Sequence, residues 1–176
     1  KEICMSKGVR FLENTFEGHI EQKNFAANAA SYDFVLSLDA DEELSDELIK
    51  FILQEKKNFT SDAYKFNRLN NYCGQWIKHC GWYPDKKIRL WNRQKGKWGG
   101  TNPHDKIILD KNITSLKTSA PNKLGPLEFH VHFVTQRYAH FSSAVALLHR
   151  EGAQFGGMTD SNFLNQVQSL RQHVLA

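Results

Sequence analysis

The chain has 176 residues, 40% hydrophobic and 24% charged, which suits one globular domain with a substantial core. No apolar run approaches the length of a membrane span, and Lys1-Glu2-Ile3-Cys4-Met5 is not a signal peptide, so a transmembrane or secreted chain is not expected. The net charge of +4 comes from scattered lysines such as Lys56, Lys57, Lys86 and Lys87, a modest bias toward anionic partners such as phosphates or a lipid head-group layer.

Cys4, Cys73 and Cys80 are odd in number, and the last two are too far apart for a C-x-x-C pair, so free thiols and a cytoplasmic location are expected. The chain opens on what reads as the tail of a helix. It stops at Leu175-Ala176 inside an apolar-periodic run without a C-cap, so a fragment of a larger domain is expected.

Val9-Arg10-Phe11-Leu12 is a short β-prone run, and a loop anchored by Phe16 follows. Over residues 19–31, Ile20, Phe25, Ala26, Ala29 and Ala30 recur at helical spacing, with Gly18 as the start and Ser31-Tyr32-Asp33 as the break. Phe34 to Leu38 is an unbroken apolar strand. Strand, helix, strand predicts a right-handed βαβ unit with residues 9–12 and 34–38 parallel in one sheet. The first turns of the helix present Gln22, Lys23 and Asn24, and Lys23 near a helix N-terminus suits a phosphate, although a solvated lysine is as ordinary a role.

The buried strand runs straight into Asp39, Asp41, Glu42 and Glu43. Ligands bind where such strands end, and clustered carboxylates repel one another unless a cation balances them, which points to a divalent metal. An acidic turn capping a helix is the simpler alternative. It accounts for Ser45, Asp46 and Glu47 but not for Asp39 and Asp41. The helix that follows carries Leu44, Leu48, Ile49, Ile52 and Leu53 on one face and closes at Lys56-Lys57.

Residues 63–69 read as a strand, and Asn70 to Gly74 as a turn into Gln75-Trp76-Ile77-Lys78. Trp76, Trp82, Tyr83, Trp91 and Trp98 then crowd a glycine-rich stretch. Flat rings beside donors suit a sugar cleft, while rings pinning loops to a sheet explain part of the same pattern. Lys87 to Trp91 alternates as a strand, with Lys87, Arg89 and Trp91 on one side, and Arg89 there can hold a diphosphate. Residues 99–105 read as a loop ending in His104-Asp105, ahead of a strand over 106–109, and Asp105 is a general-base candidate by residue type, or an Asp that forms the turn after Pro103-His104. Residues 110–126 read as a polar surface excursion.

Leu127 to Phe133 alternates, with Leu127, Phe129, Val131 and Phe133 inward and Glu128, His130 and His132 on the other face. His130 and His132 can reach one anion or metal, or be plain hydrated residues. Helical stripes are expected beyond, one of Tyr138, Phe141, Val145 and Leu148, the other of Phe163, Val167, Leu170 and Val174. They would pack on the domain or rest on a membrane interface.

Gly18 with Gln22-Lys23-Asn24, then Val35 to Glu42, then Gly81-Trp82-Tyr83-Pro84-Asp85 with Lys87 to Trp91, and finally Pro103-His104-Asp105 together resemble family 2 glycosyltransferases. Within them the likeness is to the lipopolysaccharide-core glucosyltransferase branch. It implies an α/β fold of GT-A (Rossmann-like) type, a mixed sheet flanked by helices, here without its first strand and acidic base-binding loop and with C-terminal helices. The expected division is a partial GT-A catalytic domain over 1–134 and a helical extension over 135–176.

The resemblance further implies a nucleotide-diphosphate-sugar donor, Mg²⁺ or Mn²⁺, and inverting hexosyl transfer to a glycan or lipid-linked acceptor, with peripheral contact at the cytoplasmic face of the inner membrane and no nucleic-acid partner. Asp39 and Asp41 would hold the metal, with His130 contacting it or the diphosphate. Gln22, Lys23, Asn24, Asp39 and Arg89 would meet the donor, Asp105 would be the base, and Trp76, Trp82, Tyr83 and His104 would line the acceptor or sugar cleft. Asp105 stands where this branch has Glu. Two rivals are a metal-dependent nucleotidyltransferase, which should bring a Gly-rich phosphate loop, and a non-enzymatic carbohydrate- or nucleic-acid-binding module.

Overall fold

The structure, a computed structural model, describes residues 2–6, 8–39, 41–102, 104–111, 116–117, 127–133 and 144–147. In chain order the elements are α1 (Glu2–Ser6), α2 (His19–Asn28), β1 (Phe34–Leu38), β2 (Glu42–Leu44), α3 (Asp46–Lys57), β3 (Ala63–Tyr72), β4 (Gln75–Ile77), β5 (Asp85–Asn92), β6 (Gly96–Thr101), β7 (His104–Leu109), β8 (Leu116–Lys117), β9 (Glu128–Phe133) and β10 (Ala144–Leu147). The main sheet runs β10-β1-β5-β3-β9-β2, with β4 and β8 also on β3, and β6-β7 form a separate hairpin.

The expected mixed sheet is present, since β3 runs parallel to β8 and β9 while its pairings with β4 and β5 are antiparallel. Alternation along β1 divides the core. Leu36 and Leu38 join Leu48, Phe51 and Ile52 of α3 with Tyr64, Phe66, Leu90 and Phe129. Val35 joins Ala27 and Ala30 beside α2, together with Trp91, Trp98 and Ile107. Helices α2 and α3 thus cover opposite faces of one sheet, because successive strand side chains point to opposite sides.

Helix α3 starts where its cap dictates. Ser45 is extended and its Oγ accepts from the Leu48 N–H at 3.2 Å, Asp46 and Glu47 occupy the positive first turn, and Lys56 and Lys57 the last. Helix α2 has no side chain at its N-cap, Gly18. Asn102 supplies the missing acceptor from across the fold, its Oδ1 taking the Ile20 N–H at 3.0 Å while its Nδ2 donates to Glu21 Oε2 at 3.1 Å.

Several expectations are corrected. Residues 9–12 form no strand, and β1 has no parallel neighbour: β5 and β10 flank it, both antiparallel. The short run leaves Phe11 and Leu12 41% and 43% exposed, and the edge it would need is taken by the four-residue ladder of β10. Helix α2 ends at Asn28 and turns Lys23 and Ala27 inward, leaving Phe25 exposed.

Residues 70–72 continue β3 rather than forming a turn. The stretch 99–101 is strand: β6 is disguised by its glycines, yet Gly99 lies so close to Ile108 that a Cβ would come within 2.5 Å of it, and Gly100 has φ +110. The helical stripe containing Val145 is contradicted by β10, while Tyr138, Phe141, Leu148 and the stripe from Phe163 to Val174 lie outside the described residues, as does most of the 110–126 excursion. Among the described residues no helix is long and apolar enough to cross a membrane. All three cysteines are free thiols.

Candidate functional site

The C-terminal end of β1 delivers Asp39 into a buried network of charges drawn from four elements. Lys23 of α2, only 5% exposed, places Nζ 2.7 Å from Asp105 Oδ2 of β7 and 3.1 Å from Asp39 Oδ1. Arg89 of β5 stands 3.5 Å from Asp39 Oδ2 through Nη2, which also donates to Glu42 Oε1 of β2. The turn from β1 to β2 closes reciprocally: the Glu42 N–H donates to the Asp39 carbonyl, and the Asp39 N–H donates to Glu42 Oε2, each at 3.0 Å.

Two aromatic rings support the cations. Lys23 Nζ lies 4.4 Å from the centroid of Trp98, and the Arg89 guanidinium lies 5.7 Å from Trp98 and 5.1 Å from Phe129. Contacts of this kind reach about 2 kcal/mol when desolvated. Trp98 is itself held by Asn24, whose Nδ2 donates to its carbonyl at 2.9 Å and whose Oδ1 accepts from its N–H at 3.0 Å. Lys23 and Asn24 on one face of α2, with Ile20 a turn earlier, therefore fasten the helix to the β6-β7 hairpin.

A register shift aims Arg89. Tyr64 pairs with Leu90 and Lys65 with Ile88, so Arg89 is the extra residue of a β-bulge and has no partner of its own on β3. Strict alternation would have set it simply beside Lys87 and Trp91; the bulge instead carries it between Trp98 and Phe129, which belong to different halves of the core. Its Nε is buried without a hydrogen-bond partner among the described residues.

Burial pushes the Glu42 carboxyl above the usual carboxylate range, with Arg89 opposing and Asp39 reinforcing the shift. Arg89 is held above its own ordinary value: burial acts to lower it, but Glu42 and Asp39 outweigh that.

The predicted residues divide into groups. Lys23, Asp39, Arg89 and Asp105 come together. Asp41 is half-buried in the turn beside them. Asn24 acts on Trp98, as described, and Gln22 Oε1 accepts from Asn14 Nδ2 at 3.1 Å. His104 is exposed at the start of β7, opposite Thr101.

His130 pairs with Glu43 in the β2-β9 ladder, its ring centroid 4.6 Å from that of Trp76 and its Nε2 4.0 Å from Glu128 Oε2. Glu128 is not on a hydrated face, being 8% exposed and accepting from the Tyr83 hydroxyl. Burial, then Glu128, pushes the Tyr83 phenol up to about 12. The exposed indoles Trp76 and Trp82 are 40% and 42% exposed.

Asp39, Asp41 and His130 are not gathered into one metal cage, and among the described residues no three His, Cys, Asp or Glu side chains are placed to hold an ion. A hard divalent cation that binds together with a diphosphate commonly takes one or two protein carboxylates and completes its shell with phosphate oxygens and water.

Glu42 and Trp98 join the site only through the tertiary structure. Glu42 was visible as one of four clustered acids, but nothing local marked which acid is buried on an arginine. Trp98 stood in the aromatic stretch with no signal linking it to Lys23.

The profile of glycosyl transferase family 2 matches residues 1–113, and that of the C-terminal part of Vps52 matches residues 98–175. A protein named as an uncharacterised glycosyltransferase of Rickettsia typhi is 30% identical over 117 residues, 63% of this chain and 40% of that protein. Its counterpart in Rickettsia prowazekii is 29% identical over the same shares. The human vacuolar protein sorting-associated protein 52 homologue is 38% identical over 48 residues, 27% of this chain and 7% of that protein. The chain thus spans about 40% of the length of the two glycosyltransferase relatives. No solved structure matches it.

Proposed function

The chain belongs to glycosyl transferase family 2, and from that premise we propose that it serves inverting transfer of a hexosyl unit from a nucleotide-diphosphate-sugar to a hydroxyl of a glycan or lipid-linked acceptor of the lipopolysaccharide-core type. The reading rests on residues up to 111, and the likeness to Vps52 over 98–175 lies largely beyond it.

One observation carries the reading: two buried cations, Lys23 and Arg89, converge on Asp39 at the end of β1, and Arg89 Nε has no hydrogen-bond partner among the described residues. A buried N–H donor without an acceptor costs about 1–3 kcal/mol, which an anionic ligand oxygen would recover. Against these two cations stand three carboxylates, Asp39, Glu42 and Asp105. A diphosphate approaching such a set is not attracted by net charge, which favours its arriving with a divalent cation.

Asp39 and Asp41 would hold Mg²⁺ or Mn²⁺, which when bound neutralises charge on the departing diphosphate. Asp105 acts as base. It takes the proton of the acceptor hydroxyl as that oxygen bonds to the anomeric carbon, the bond from that carbon to the diphosphate breaks, and the nucleoside diphosphate leaves. The ion pair with Lys23 holds the Asp105 carboxylate in one orientation, and Trp98 beneath Lys23 excludes water from it. Work at the cytoplasmic face of the inner membrane belongs to the same proposal.

A thermal-shift screen of nucleotide-diphosphate-sugars with and without Mn²⁺ tests the reading. At least one donor should raise Tm only with the metal present. A flat response to every donor would overturn it.

A further inference from the structure

We propose that a second cleft, lined by Arg68, Asn70, Gly81, Trp82 and Asp85, binds one neutral pyranose ring of the acceptor through stacking on Trp82 and hydroxyl contacts to Asn70. The inference deepens the transfer reading and rests on it for the word acceptor; the binding of a sugar ring does not. The cleft has a volume of about 290 Å³, room for a single hexose and some water.

Alternation along β3 builds its floor. The face that carries Tyr64 and Phe66 into the core carries Arg68 and Asn70 into the cleft. Asn70 is 2% exposed, yet among the described residues its Oδ1 has no hydrogen-bond partner, while its Nδ2 is 3.5 Å from the Trp82 carbonyl. A buried carbonyl oxygen in that state accepts from a ligand hydroxyl at no further desolvation cost. Arg68 Nε is likewise buried without a partner among the described residues.

The polar wall is already neutral. Arg68 Nη2 lies 2.6 Å from Asp85 Oδ2, and Lys87 Nζ 3.1 Å from Asp85 Oδ1. Phosphate recognition wants uncompensated cations, whereas a sugar hydroxyl both donates and accepts and suits a donor and an acceptor set side by side. Trp82 adds a flat apolar ring for the C–H face of a pyranose.

The sheet register places the cleft usefully. Asn70 pairs with Val131, and Val131 pairs with Glu42, so Asn70 stands two strands from Glu42, about 10 Å at the usual strand spacing.

The test is saturation-transfer NMR on the full 176-residue chain with a panel of methyl hexosides, repeated on Trp82→Ala and Asn70→Leu, with inorganic phosphate as competitor. At least one hexoside should give transfer that falls at least fivefold in both variants and is indifferent to phosphate. Trp82 is exposed, so its variant reports on binding even if Asn70→Leu folds poorly. No transfer from any hexoside, transfer unchanged in Trp82→Ala, or displacement by phosphate would overturn the proposal. Nucleotide-sugar binding on the unaltered chain is measured separately, so failure of the transfer reading is distinguishable from failure of the cleft.

Discussion

Lys23 Nζ and Asp105 Oδ2 meet at 2.7 Å although 82 residues separate them in the chain. The contact joins α2 to β7 and, because Lys23 also reaches Asp39 at 3.1 Å, ties the proposed base to the end of β1. One buried ammonium therefore sets both carboxylates in place. Lys23→Met should cost about 3 kcal/mol, since removing one partner leaves charges uncompensated at a site where replacing the whole cluster would cost far less. The urea midpoint reads this directly. A change below about 0.5 kcal/mol would mean that the network contributes nothing to the fold.

Asp105 and Asp41 should separate by kinetics. Asp105→Asn should lower kcat by about 10² to 10⁴ while leaving nucleotide-sugar binding nearly intact, because a general base acts in the transition state. Asp41→Ala should lose about 10² to 10³ in rate and also the Mn²⁺-dependent part of donor binding. Equal turnover in Asp41→Ala and the parent would remove the metal assignment, and equal turnover in Asp105→Asn would move the base elsewhere.

Asn102 caps a helix that it does not belong to, accepting from the Ile20 N–H and donating to Glu21. Asn102→Ala should destabilise the protein by about 1 kcal/mol, the usual worth of an N-cap side chain. Ser45→Ala should cost about the same at α3. The informative difference is functional: the Asn102 change loosens the hairpin that carries Asp105 and should also reduce turnover, whereas Ser45→Ala should alter stability alone. Identical loss of activity in the two variants would contradict this.

Two phenols should resist ionisation. Burial together with Glu128 pushes Tyr83 up to about 12, and burial together with Glu55 pushes Tyr64 up to about 12. In the unfolded chain both ionise near 10. The folded state thus binds more protons between about 10 and 12, and stability present below that window is lost as pH rises through it. Absorbance at 295 nm should show two late tyrosinates. In Tyr83→Phe one of them should vanish; persistence of both would place the late titration on other residues.

What the chain order determined by itself was local. The run Phe34 to Leu38 specifies a buried strand, Ser45 ahead of two acids specifies a helix start, and Leu127, Phe129 and Val131 specify an inward face. Periodicity, capping and alternation act over a few residues, so they survive in a one-dimensional reading. The acids at the end of β1 were legible for the same reason.

The tertiary structure alone decided which of those acids is buried, what balances it and what lies beneath. Lys23 with Asp105, Asn24 with Trp98 and Asn102 with Ile20 span 74 to 82 residues. No local rule links them. β6 hid behind glycines demanded by close contact with β7, and residues 9–12 resembled a strand until β10 supplied the better partner for β1. A bulge at Arg89 then overrode alternation. Local propensity proposes an element, but long-range packing and the pairing of buried charge determine where it ends and which way its side chains face.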